Sequence, residues 1–156
     1  LRQYGWDENR ISLELGYNTR LDELQASILR IKLKTLDENI NNRIRVADEY
    51  FKNIKSLQLP KVRENTKHSF HLFVARSSKR DYIISSLETQ DVIAMVHYSK
   101  AVHQHPAFEK YKRFELPVAE KIVGEILSLP IYPELDSYHL NKIITNLNTI
   151  KKRGNY

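Results

Sequence analysis

Between Leu21 and Leu57 the chain contains neither Gly nor Pro, and apolar residues recur as Leu21, Leu24, Ile28, Ile31, Leu33, Leu36, Ile40, Ile44, Ala47, Tyr50, Phe51, Ile54 and Leu57. Spacings of mostly three and four place these residues on one face of a helix. Thr19 with Asp22 three positions on reads as a capping-box start, and Leu59-Pro60 as the stop. One helix over that run would be roughly 54 Å long, against about 40 Å for the diameter of a compact domain of this size. It therefore either breaks near Asn39, Asn41 and Asn42 or begins on another domain or subunit. The single Met is Met95, in mid-chain, and the sequence opens at Leu1. That opening favours the second alternative, a piece of something longer.

After Pro60 the pattern alternates. Ser69 to Arg76 reads as a strand and Arg80 to Gln90 as a helix. Asp91 to Tyr98 is apolar without interruption from Val92 to Val96, as expected of a strand buried on both faces. A loop rich in His, Tyr, Phe and Lys follows from Ser99 to Leu116. Pro117 suits the first turn of a helix reaching about Glu125. Ile126 to Ile131 is a short strand, weakened by Pro130. Asp136 or Ser137 caps a last helix to Ile150. The order β-α-β-loop-α-β-α predicts a small α/β fold, with helices covering a three-stranded sheet. The predicted divisions are an opening segment (1–20), a long helix (21–58), a small α/β domain (59–150) and a frayed tail (151–156).

Composition narrows the chemistry. The 156 residues carry 25 Lys and Arg against 19 Asp and Glu, a formal charge of +6, with 41% apolar residues. That is enough apolar material for a core. No window approaches eighteen consecutive apolar residues, which excludes a transmembrane helix. There is no Cys, hence no disulfide, thiolate metal site or cysteine nucleophile. The opening lacks the basic-then-apolar layout of a secretory signal, so the expected compartment is the cytoplasm. The basic residues are interleaved with acidic ones, as at Asp37-Glu38 and Asp48-Glu49, and no nucleic-acid-binding motif accompanies them. Nucleic acid is not an expected partner, whereas an anionic small molecule suits the charge. The four Gly are too dispersed for a phosphate loop.

Two stretches hold the candidate chemistry. His97-Tyr98 ends a strand and enters the loop, where functional side chains gather. His103 and His105 follow, but no Asp or Glu lies nearer in sequence than Glu109, so no metal site is expected. Earlier, Gly16-Tyr17-Asn18-Thr19-Arg20 leads into the helix start. Asn18 and Arg20 there either supply donors to a phosphate or shape the turn and pair with Asp22 or Glu23.

The stretch GYNTRLDELQASIL resembles the GYNxRLDELQAAIL motif of the DegT/DnrJ/StrS nucleotide-sugar aminotransferases, fold-type I enzymes that use pyridoxal phosphate. VHYSKAVHQHPAF is similar to the family's IHYPxPLHxQPAF, and LPVAEKIVGEILSLPIYPEL to its FPVAExxxxExLSLPMYPEL. The resemblance implies the small C-terminal domain of such an enzyme, following a long linking helix. It implies amino transfer, with glutamate as the expected donor, to the keto group of a nucleotide-sugar. It also implies a homodimer in which Asn18, with Arg20 beside it, reaches the cofactor phosphate of the neighbouring subunit. His97, Tyr98, Lys100 and His103 would line the nucleotide-sugar pocket, Lys100 near a substrate phosphate. Ser99 and Ala101 replace two prolines of the pattern, which is expected to loosen this loop. The family's Schiff-base lysine belongs to a motif upstream of GYN, and no Lys precedes Gly16 here. No catalytic residue is therefore expected in this chain, and alone it is expected to be inactive. The rival expectation is a stand-alone binding or regulatory module that keeps the sugar-binding wall without catalysis.

Overall fold

The helical pattern of the first third folds as two helices, not one. The computed structural model describes residues 7–9, 11, 13–19, 21–111 and 115–153, with backbone alone at 109–111 and 151–153. Helix α1 spans Glu23–Leu33 and α2 spans Leu36–Asn53, so the long helix expected over 21–58 is interrupted at Lys34-Thr35 and ends early. The break has a local cause. Lys34 and Thr35 donate their N–H groups to Ile31 and Lys32 at 3.2 and 3.3 Å, in i→i+3 fashion. The Thr35 hydroxyl also donates to the Lys32 carbonyl at 3.3 Å, competing for an acceptor the α-helical ladder needs. Asn39, Asn41 and Asn42, the expected break, lie inside α2. The α1 N-cap is Asp22, not the expected Thr19, and the Asp22 side chain makes no capping bond.

Two compact units result, Leu1–Asp37 and Glu38–Tyr156. In the first, α1 buries no residue: Leu24, Ile31 and Leu33 are each at least 67% exposed. An apolar cleft of 460 Å³ opens among Leu21, Ala26, Leu29, Leu33 and Leu36, edged by Arg30 and Lys32.

The second unit is built on two antiparallel strands, β1 (Phe73–Arg76) and β2 (Ile126–Leu129), with Phe73 opposite Leu129 and Arg76 opposite Ile126. A single bridge extends each side, Gln58 to Arg76 and Met95 to Ser128. The expected third strand over 91–98 is thus reduced to that contact at Met95. Nor is it buried on both faces: Val92 and Ala94 face the core, while Ile93 and Met95 are 73% and 53% exposed. Period-two alternation of this kind marks a segment covered on one side only.

β1 is shorter than the expected 69–76 because Phe70 turns the chain with φ 45°. A bulky residue in the left-handed region is strained. Its N–H donates to His68 Nδ1 at 2.9 Å, and its ring sits 4.3 Å from the His68 ring, which together hold the turn. Phe73 is fully buried, with its ring centroid 5.0 Å from Tyr50 and 5.3 Å from Phe51 on α2. Tyr50 is fully buried too, and its hydroxyl donates to the Pro130 carbonyl at 2.6 Å. Burial raises the pKa of that hydroxyl above the ordinary phenol range.

Three further helices complete the unit: α3 (Arg80–Glu88), α4 (Pro117–Glu125) and α5 (Ser137–Arg153). Ile83 and Leu87 of α3 meet Leu140, Ile143, Ile144 and Leu147 of α5 in one core with β1 and β2. The C-terminal carbonyls of α4, which no intrahelical donor reaches, take Arg80 Nη1 on Val123 at 2.7 Å and the Ser77 N–H on Glu125 at 2.9 Å. Asp136 caps α5 by accepting the His139 N–H at 2.8 Å. The helix runs past Ile150 to Arg153, into the segment expected to fray; residues 154–156 lie outside those described. No helix among the described residues is long and apolar enough to cross a membrane.

Candidate functional site

The exposed stretch after Met95 is anchored on β2. Ser128 donates its N–H to the Met95 carbonyl at 2.8 Å and accepts the Met95 N–H at 3.1 Å, fixing where the chain leaves the sheet. Two residues on, His97 places Nδ1 2.9 Å from Ser128 Oγ. Ser128 is the buried polar residue of the described core, only 7% exposed. Tyr98 is 71% exposed and Lys100 is exposed beside it. The three adjoining candidates His97, Tyr98 and Lys100 are therefore displayed on the surface, with His97 alone tied back to the core.

The loop beyond is held by specific bonds. At Ala101, where the resembling pattern has proline, the N–H donates to Gln104 Oε1 at 3.0 Å. Proline has no N–H and cannot make that bond. Gln104 and His105 in turn donate backbone N–H groups to Ala101 and Val102, forming a short 3-10 turn over Val102–Gln104. Ala101 thus makes a tie that proline at this position could not make.

His103 is tied to the start of α4. Its side chain is 13% exposed, and Nε2 donates to Glu120 Oε1 at 2.9 Å. Glu120 also accepts the Leu116 N–H at 3.3 Å, so one carboxylate ties the loop to the start of α4. The His103 bond, with the Leu116 N–H second, holds the Glu120 carboxyl below its ordinary 4.5. Because folding lowers this pKa, its stabilisation is complete above pH 4.5 and is lost as pH falls through the lower folded value. Urea midpoints measured at pH 6 and pH 3 should therefore fall less for Glu120→Gln than for the unsubstituted chain. An equal fall in both would show that the pair contributes nothing.

Neither Ser128 nor Glu120 is evident from the sequence as a site residue. The one signal was a lone Ser between Leu127 and Leu129 in an apolar strand. Among the described residues no three His, Cys, Asp or Glu side chains converge to hold a metal. Asn18 is exposed in the first unit; Arg20 lies outside the described residues.

Comparison with known proteins gives the family. The family model of the DegT/DnrJ/EryC1/StrS aminotransferases matches residues 1–148. A dTDP-3-amino-3,6-dideoxy-alpha-D-galactopyranose transaminase of Aneurinibacillus thermoaerophilus is 35% identical over 150 residues, covering 95% of this chain and 41% of the relative. A pleiotropic regulatory protein of Geobacillus stearothermophilus is 39% identical over 128 residues, covering 78% of this chain and 34% of that protein. Among solved structures, S. venezuelae DesV in complex with a ketimine intermediate superposes with a TM-score of 0.91 at 33% identity, over 98% of this chain and 43% of that one. The chain thus spans about two fifths of the length of the relatives it matches. Sequence and fold agree over nearly all of its residues, and the chain belongs to the DegT/DnrJ/EryC1/StrS aminotransferase family.

Proposed function

We propose that this chain is the C-terminal part of a pyridoxal-phosphate-dependent aminotransferase that moves an amino group from glutamate to a keto nucleotide-sugar in the cytoplasm. Residues 1–20 then adjoin a large domain, α1 and α2 link to it, and the remainder forms the small domain. The supporting observation is the displayed stretch His97-Tyr98-Lys100, with His97 held through one ring nitrogen by a buried serine. In this reading His97 and Tyr98 form one wall of the sugar pocket, Lys100 faces a substrate phosphate, and His103 supports the wall through Glu120. Asn18 is exposed, and its amide is a donor of the kind that a phosphate accepts, so it fits a cofactor phosphate held across a homodimer, with Arg20 beside it. When bound, the cofactor supplies the electron sink for amino transfer. The lysine that holds it would come from the large domain, leaving this chain inactive alone.

The test uses the complete protein that carries these residues. His97→Ala should lower kcat/KM for the nucleotide-sugar about 10- to 100-fold, the range for losing a hydrogen bond to a charged group. Cofactor absorbance should stay unchanged. An unaltered kcat/KM would remove His97 from the pocket. The regulatory name of the Geobacillus relative favours a second reading, a non-catalytic nucleotide-sugar-binding or regulatory module. Such a module would bind the nucleotide-sugar and ignore pyridoxal phosphate.

A further inference from the structure

We propose that Ser128 fixes the neutral ring of His97 as its Nε2–H tautomer, so that His97 offers a hydrogen-bond donor, not an acceptor, to the phosphate or sugar oxygens of a ligand. The ligand clause rests on the reading above; the tautomer clause does not.

A serine hydroxyl has one donor and two acceptor sites. Ser128 is only 7% exposed, and the one partner of its Oγ among the described residues is His97 Nδ1, at 2.9 Å. Were Nδ1 to carry the proton and donate it, the hydroxyl hydrogen of this 7%-exposed residue would have no acceptor among the described residues, a costly arrangement. If the hydroxyl donates to an unprotonated Nδ1, the hydroxyl hydrogen has its acceptor. The ring proton is then on Nε2, the nitrogen that Ser128 leaves free on this exposed residue. Both backbone groups of Ser128 are bonded to Met95, so the hydroxyl is offered from a fixed point. A phosphate or a carbonyl oxygen accepts hydrogen bonds and would be refused by a bare ring nitrogen, so the tautomer decides what His97 can hold.

The same chain contains its own references. His139 Nδ1 lies 2.8 Å from the Asp136 carboxylate and must carry the proton there. His68 Nδ1 accepts the Phe70 N–H and must be bare.

Nitrogen-15 spectra of the histidine rings at pH 8, with His97→Gln to assign the signal, test the proposal on the 156-residue chain. His97 should match His68, not His139, with Nε2–H favoured by about ten to one or more, the ratio equivalent to about 1.4 kcal/mol. Ser128→Ala should reduce that ratio severalfold, while Ser128→Thr, which keeps the hydroxyl, should retain it. A mixed or Nδ1–H ring in the unsubstituted chain overturns the proposal, and that spectrum decides even if Ser128→Ala fails to fold. An unchanged ratio in a folded Ser128→Ala overturns it as well. Titration of the complete protein that carries these residues with UDP and dTDP separates the two clauses. A shift at His97 Nε2 supports the donor role, and no shift with the Nε2–H tautomer intact counts against the pocket reading and removes the ligand clause.

Discussion

Phe73→Ala should cost the second unit about 3–5 kcal/mol, the range for truncating a fully buried aromatic residue. Phe73 has no exposed surface, and three rings surround it, with centroids at 5.0 Å (Tyr50), 5.3 Å (Phe51) and 6.0 Å (Phe70). Two of these rings are restrained from moving into the space left. Tyr50 is held by its bond to Pro130, and Phe70 by its strained turn and the His68 bond. Typical domains have about 5–15 kcal/mol of stability in all, so the variant should retain little of a cooperative transition. The effect should reach the site, because β1 positions β2 and β2 carries Ser128. Urea unfolding followed by circular dichroism measures it. A loss below about 1.5 kcal/mol, the scale of a well-tolerated core swap, would mean that Phe73 does not organise the core.

The second large effect concerns association. α1 buries none of its residues, yet Leu24, Ile28 and Ile31 repeat at helical spacing and Leu29 and Leu33 line an apolar cleft. Leaving so much contiguous apolar surface in water is unfavourable, at about 1.5–3 kcal/mol per large side chain. The 156-residue chain should therefore self-associate, and sedimentation should give species heavier than 18.4 kDa that increase with concentration. Leu24→Glu with Ile28→Glu removes two such side chains and adds like charges, so it should weaken association at least about 100-fold. A monomeric unsubstituted chain at high concentration would contradict this expectation.

Elements bounded by strong local signals were legible in the sequence. Pro117 opens α4 at its first position, Pro130 follows directly on β2, and Asp136 caps α5. The α1–α2 break was not legible. It depends on one threonine hydroxyl taking a carbonyl at Lys32, whereas the more conspicuous Asn39, Asn41 and Asn42 remain helical. The expected third strand failed because an apolar run does not say which of its faces is covered, and Ile93 and Met95 face outward. In the site, His97, Tyr98 and Lys100 were found together because they lie within four residues of sequence. Ser128 and Glu120 meet His97 and His103 from 31 and 17 residues away, through contacts that only the tertiary fold creates.

The most direct test of the central claim, that this chain is the C-terminal part of a sugar aminotransferase, is the coding sequence immediately upstream of the Leu1 codon. An open frame should continue upstream into a large domain that carries a serine-then-lysine cofactor motif. A start codon directly before Leu1 would contradict it, and the non-catalytic nucleotide-sugar-binding module would become the leading reading.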